Sequence, residues 1–215
     1  MIFEQIGVGG DRNFAYLIGD EGTRAAALVD PAYLPELVLE RAADHGLRVR
    51  YLINTHGHHD HAGGNDVVLA LGNVRLIHGG PRGVADGEKL VMGTVEFAFL
   101  RTPGHSEDSL CVLAQETRVP HEPGRLITGD TLFVGKVGGT DLGQGARDEY
   151  ESLHRKLMTL PDDTEVWPGH DVGVAPSSTI GHERRTNPFL LRATFEEFVD
   201  LKRNWLEYKR EHGIL

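Results

Sequence analysis

The stretch Thr55-His56-Gly57-His58-His59-Asp60-His61 sets His56, His58, Asp60 and His61 at H-x-H-x-D-H spacing, directly after the apolar run Tyr51-Leu52-Ile53. Imidazole and carboxylate suit divalent zinc, iron or manganese, and the short polar spacers let four donors converge. A first metal can take His56 and His58 while Asp60 and His61 turn towards a second. A solvated histidine-rich turn is the alternative in a chain with 12 histidines. The ordered spacing and the position at a strand end favour a site. His105, Asp130 and His170 share a pattern with that loop: each follows an apolar run and sits beside a glycine. A glycine just before a ligand lets the backbone turn sharply, which is how distant segments close on one pocket. Singly each would read as a structural residue; with the loop they make seven donors.

The elements that must carry these donors follow from periodicity. Phe14–Ile18 and Ala25–Val29 read as a hairpin around the turn Gly19-Asp20-Glu21-Gly22. Leu34, Leu37, Val38 and Ala42 fall at helical spacing from Leu34 to His45, with Gly46 as a stop. Val49–Ile53 is the strand entering the histidine loop, followed by a helix through Val67, Val68 and Leu71 and a strand at Val74–Ile77. Val95–Leu100 delivers Thr102-Pro103-Gly104-His105, and Leu110–Leu113 is a further strand. The segment Glu116 to Arg125, with Pro120, His121, Pro123 and Gly124, reads as an exposed excursion with His121 at the surface. Leu126-Ile127-Thr128 runs into Gly129-Asp130, and the glycine-rich segment 135–145 is expected to be a long mobile loop. A helix over about 146–160 places His154 at the surface or boundary; the strand Glu165–Trp167 then delivers Pro168-Gly169-His170. One last helix is predicted over about Pro188 to Glu211, burying Phe189, Phe195, Phe198 and Trp205. Strands in two sets, each interleaved with helices, predict two sheets packed face to face with helices outside.

Composition bounds the partners. The 215 residues, 40% hydrophobic and without a Pro/Ser-rich linker, are expected to form one domain over 1–215. A formal charge of −10 argues against nucleic acid or an anionic membrane surface and favours a small-molecule substrate. The N-terminal residues lack a basic stretch followed by an apolar one, so a cytoplasmic protein is expected. The oligomeric state stays open, a homodimer included. Cys111, the single cysteine, lies in a strand-like apolar run and reads as a buried, inert thiol.

The set His56-x-His58-x-Asp60-His61, His105 in Thr-Pro-Gly-His, Asp130 in Gly-Asp-Thr and His170 in Pro-Gly-His resembles the metallo-β-lactamase superfamily over nearly the whole chain. That resemblance implies an α/β (α+β) fold, a four-layer αββα sandwich of two mixed sheets with helices outside. It implies a first metal site of His56, His58 and His105, a second of Asp60, His61 and His170, and Asp130 bridging them. A bridging aspartate and a third histidine in place of a cysteine are similar to the glyoxalase II and persulfide dioxygenase branch. The tail Ser178-Thr179-Ile180-Gly181-x-Glu183-Arg184-Arg185-Thr186-Asn187-Pro188 resembles bacterial members of it. Where glyoxalase II and those dioxygenases carry a basic residue after the bridging aspartate, this chain has Gly138-Gly139-Thr140, with Lys136 near but not aligned. Val172 stands where the dioxygenases have a tyrosine, and one final helix stands where glyoxalase II has a larger helical region. Weak glutathione recognition is the expectation.

Two chemistries follow. In a hydrolase, two divalent ions, zinc first and iron or manganese as alternatives, activate a water against a thioester or ester, with Asp60 and Asp130 as catalytic residues that fix the ions and orient the nucleophile. In a persulfide dioxygenase, a single Fe(II) is held by His56, His105 and Asp130. A non-catalytic metal protein is the third class. The segments 135–145 and Val172 to Glu183 are expected to frame the entrance. His59 is expected to point away, His78 to be structural, and Arg184 and Arg185 to be solvated or salt-bridged rather than a carboxylate clamp.

Overall fold

The computed structural model describes residues 1–119 and 121–214; Pro120, expected in the exposed excursion, lies outside the described residues. The chain begins with strands β1 (Ile2–Gly9), β2 (Asn13–Gly19) and β3 (Ala25–Val29), continues through helix α1 (Pro35–Asp44) to β4 (Arg48–Ile53), and reaches β5 (Arg75–Ile77) through short helices α2 (His59–Ala62) and α3 (Asn65–Leu69). These five strands form one sheet in chain order, antiparallel from β1 to β3 and parallel from β3 to β5, the parallel steps being those with helical crossovers. Next come β6 (Lys89–Met92), β7 (Val95–Arg101), β8 (Leu110–Glu116), β9 (Arg125–Gly129), a small hairpin of β10 (Leu132–Phe133) and β11 (Lys136–Val137), helix α4 (Gln144–Arg155), β12 (Glu165–Pro168) and β13 (Ser178–Thr179). The second sheet has the order β13-β12-β9-β8-β7-β6. Helices α5 (Ile180–Thr186), α6 (Phe195–Arg203) and α7 (Trp205–Glu211) complete the described chain.

Period-two alternation builds the layers. Tyr16, Ile18, Ala27, Val29 and Ile53 of the first sheet face Val95, Phe97, Phe99, Val112 and Ile127 of the second, and all are buried. Their strand neighbours point the other way. Leu17, Leu28 and Leu52 pack against Val38 and Ala42 of α1 and Val68 of α3, while Cys111, Leu126 and Val166 pack against Leu153 of α4 and Phe198 of α6. The result is the four-layer αββα sandwich. Burying each such aliphatic or aromatic side chain contributes about 1.5–3 kcal/mol, so the three apolar layers hold the strand ends in place.

Several elements differ from expectation. β1 was not anticipated; Glu4, Gln5 and Gly7 interrupt its apolar residues, yet Ile6 and Val8 are buried. β6 and α5 were not anticipated either. The predicted single last helix is two: residues 188–191 are turns and 192–193 irregular, α6 starts on a Thr194–Glu197 capping box, and Asn204 separates α6 from α7. The glycine-rich segment is not a loose loop. Its start closes the β10–β11 hairpin, pinned by Gly135 N–H to Glu183 Oε2 at 2.9 Å and Asn187 Nδ2 to Lys136 O at 3.2 Å, its end opens α4, and only residues 138–143 between them are irregular.

Candidate metal centre

Each of the seven donors lies just beyond a strand. β4 leads into the histidine loop, β7 into His105, β9 into Asp130 and β12 into His170. The glycines before the isolated donors are needed for that convergence. Gly104 has φ +151° and packs on Glu149 of α4, where a Cβ would come within 2.4 Å of the Glu149 Cβ. A Cβ on Gly169 would lie 2.6 Å from Asp130 Oδ1 and 2.9 Å from the His61 ring.

The structure brings all seven together. His56 Nε2 lies 2.9 Å from His58 Nδ1, which is 3.1 Å from His105 Nε2. On the other side, His61 Nε2 and His170 Nε2 are 3.2 Å apart, with Asp60 Oδ2 3.7 Å from the first and 3.5 Å from the second. Asp130 stands between the groups: its Oδ1 is 3.3 Å from both His61 Nε2 and His170 Nε2, and its Oδ2 is 3.6 Å from His105 Nε2. Donor sets that could hold an ion are His56, His58 and His105; Asp60, His61 and His170; and His56, His61 and Asp130, the atoms of each set lying within 4.8 Å of one another.

The outer ring nitrogens fix the inner ones. His105 Nδ1 pairs with Gly139 O at 2.8 Å, His170 Nδ1 with Asp11 O at 2.8 Å and His61 Nδ1 with Asp30 Oδ2 at 2.9 Å. Each acceptor holds a proton on Nδ1, so in the neutral ring the Nε2 lone pair faces the centre. Two lone pairs 3.2 Å apart, as in His61 and His170, cannot bond each other and call for a cation. The buried Asp130 Oδ1 likewise has no well-aligned donor. The donor set therefore fits divalent metal.

Electrostatics agree with that fit. Burial alone would raise the Asp130 carboxyl, but neighbouring His170 and His61 hold it far below the carboxylate range. Burial pushes His56 down to about 4, aided by the His61 charge. For His61 burial also lowers the pKa, but Asp30 and Asp130 outweigh it and take the ring up to about 10. An arriving divalent ion takes the place of that proton, so metal uptake releases protons.

Two residues at the site escaped the sequence reading. Buried Asp30, at φ +50°, accepts from Thr55 N–H at 2.9 Å and Thr55 Oγ1 at 2.5 Å besides pairing with His61, so it fixes both the loop entry and one ring. Asn13 donates from Nδ2 to Asp60 O at 3.0 Å and to Asp60 Oδ2 at 3.3 Å. Asp30 carries the signal that found the others, a polar donor directly after the apolar run Ala25–Val29. Glu183, expected at the entrance, is instead buried and bonded to Ser178 Oγ and Asn187 Nδ2. Arg184 and Arg185 are both spent on Asp162, with Arg184 also donating to Met158 O and Leu160 O. His59 and His121 are exposed, His78 is half-buried against Gly79 O, and His154 is half-buried beside Tyr150. Cys111 is fully buried and its thiol is pushed up to about 11 by burial. Among the described residues no helix is long and apolar enough to cross a membrane.

Comparison with known proteins agrees with this geometry. The profile of the metallo-beta-lactamase superfamily matches residues 8–91, which include β4 and the histidine loop. The chain is 39% identical over 182 residues to a hydroxyacylglutathione hydrolase of a Polaromonas species, covering 80% of this chain and 67% of the relative. It is 34% identical over 206 residues to the mitochondrial persulfide dioxygenase ETHE1 of Homo sapiens, covering 89% and 76%. The crystal structure of ETHE1 from Myxococcus xanthus superposes with a TM-score of 0.84 at 34% identity, covering 95% of this chain and 91% of that one. With the αββα layers, the strand-end histidines and aspartates and relatives on both sides of the same branch, the chain belongs to the metallo-beta-lactamase superfamily.

Proposed function

We propose that the protein is a metal-dependent hydrolase that cleaves a thioester or ester, of the hydroxyacylglutathione hydrolase type. The observation that carries this reading is the division of Asp130, with one oxygen among the Nε2 atoms of His61 and His170 and the other towards His105. A carboxylate so placed could serve both donor sets. His56, His58 and His105 would hold a first ion, Asp60, His61 and His170 a second, with zinc the first choice for an N/O donor set and iron or manganese next. When bound, the metal would supply Lewis acidity for the carbonyl and lower the pKa of a bound water towards neutrality.

The protein's own part is orientation. Asn13 holds the Asp60 carboxylate and Asp30 holds His61, so the catalytic carboxylates Asp60 and Asp130 can direct a water's lone pair at a carbonyl carbon without reorganising. A thiolate leaving group, whose conjugate acid has a pKa of about 8.5, needs no strong general acid. Beside the centre, a cavity of about 200 Å³ is lined by Lys136, Gly139, Thr140, Phe189, Lys202 and Trp205 and offers room for one arm of a small-molecule substrate.

A second reading has its own support: the match to ETHE1 proteins extends over 206 residues in one case and 91% of a solved chain in the other. Under it one Fe(II) is held by His56, His105 and Asp130, and the substrate is a persulfide. The deciding experiment supplies zinc-loaded and iron-loaded protein with a set of acyl thioesters and, separately, with glutathione persulfide in an oxygen electrode. Thioester hydrolysis by the zinc form, without oxygen uptake, is expected. Iron-dependent oxygen uptake with negligible hydrolysis would replace the hydrolase reading by the second one.

A further inference from the structure

We propose that the buried Glu149–Lys202 pair is a positioning device for His105, setting the affinity of the first metal site without itself supplying a ligand. The inference rests on reading His105 as a ligand. Glu149, on α4, has no exposed surface, and Lys202, on α6, brings its ammonium to 2.5 Å from Glu149 Oε2. A charged pair is costly to bury and could be replaced there by apolar side chains, so its contacts bear on what it is for. Lys202 Nζ also donates to Gly138 O at 2.7 Å, and the next carbonyl along the chain, Gly139 O, is the acceptor that fixes His105 Nδ1.

Glu149 meets the same ligand from its other side. Gly104, the residue before His105, lies directly on the Glu149 backbone and Cβ, and a Cβ on Gly138 would be 3.2 Å from Glu149 Oε1. The backbone that leads into His105 and the backbone that holds its ring are thus both seated on one ion pair, contributed by two helices that carry no ligand. The bond from Lys202 to Gly138 O restrains the peptide next to the carbonyl that meets His105, and outer partners of ligating histidines typically change metal affinity by about tenfold to a hundredfold. His61 and His170 take their outer bonds from Asp30 and Asp11 rather than from the segment that the pair holds.

The test measures zinc binding to metal-free protein by competition with a chromophoric chelator, the two sites being assigned with His105→Ala and His170→Ala. The variants are Lys202→Met and the double variant Glu149→Met with Lys202→Met. The double variant removes both buried charges together and so keeps the fold even where the single one does not. The double variant is expected to unfold near the parent temperature, to lose about tenfold or more in affinity at the His105 site, and to stay within about twofold at the other. Faster amide hydrogen exchange over residues 135–143 of the metal-free double variant is expected alongside. A stable double variant with parental affinity at both sites, or with equal loss at both, overturns the proposal and makes the pair a staple between α4 and α6. Parent protein that takes up no zinc dependent on His105 overturns the ligand reading beneath it as well.

Discussion

Asp30 touches none of the space between the donors, yet it decides which nitrogen of His61 faces inward, because the ring can donate to it only from Nδ1. Asp30→Ala is expected to weaken zinc at the His61 site by about tenfold to a hundredfold and to cost roughly 3 kcal/mol of stability, the second because Thr55 N–H and His61 lose their acceptor in the interior. Chelator competition and urea unfolding measure the two effects; parental affinity at that site would show that the ring needs no outer partner. Gly169→Ala is the complementary case. Its Cβ would press on Asp130 Oδ1 and the His61 ring, so metal content measured by elemental analysis should fall although no ligand has changed. The seven donors were legible because few residue types can hold such ions and four of them lie within six positions. Asp30 and Asn13 were not, since their role depends on partners 25 to 47 residues away that only the folded sheets bring near.

Among the elements, β11 and the residues after it line the cavity in which the proposed function seats one arm of the substrate. Gly139 has nothing within 4 Å of where a Cβ would stand, so a side chain fits there without strain. Gly139→Lys is expected to raise affinity for thioesters bearing a carboxylate by roughly tenfold to a hundredfold, the worth of one charge-assisted contact of about 1.5–3 kcal/mol. Saturation curves with carboxylate-bearing and carboxylate-free substrates check it, and an unchanged ratio would remove this segment from substrate recognition. A second element-scale device ties the sheets together. Asp20, in the turn between β2 and β3, accepts from the N–H and hydroxyl of Thr23 and from those of Thr94, between β6 and β7. Burial works to raise this carboxyl, but those bonds prevail and hold it well below its ordinary value of 3.8. Its contribution is therefore present above about pH 4 and is lost as pH falls from there towards the depressed folded value. Asp20→Asn should flatten the acid limb of a stability–pH curve; an unchanged limb would place the acid transition elsewhere. Periodicity read β2, β3, α1 and β7 closely, but it missed the break at Asn204, because Phe198 and Trp205 keep helical spacing across it and the turn is set by capping rather than by hydrophobicity.

For the whole molecule, the two-sheet arrangement was legible because each donor follows its own apolar run, and strands that end at one site must lie side by side or face to face. What the sequence left unread was the supporting shell: outer bonds to Asp11, Asp30 and Gly139 that come from three different loops. The central claim is that catalysis needs the second ion as well as the first. The direct measurement follows thioester hydrolysis during stepwise zinc addition to metal-free parent, His170→Ala and Asp130→Ala proteins, with bound metal determined by elemental analysis. Hydrolysis in the parent should rise with the second equivalent of zinc, His170→Ala should stop at one equivalent with turnover reduced at least a hundredfold, and Asp130→Ala should hold neither ion firmly. Full activity at one equivalent, surviving in His170→Ala, would contradict the account.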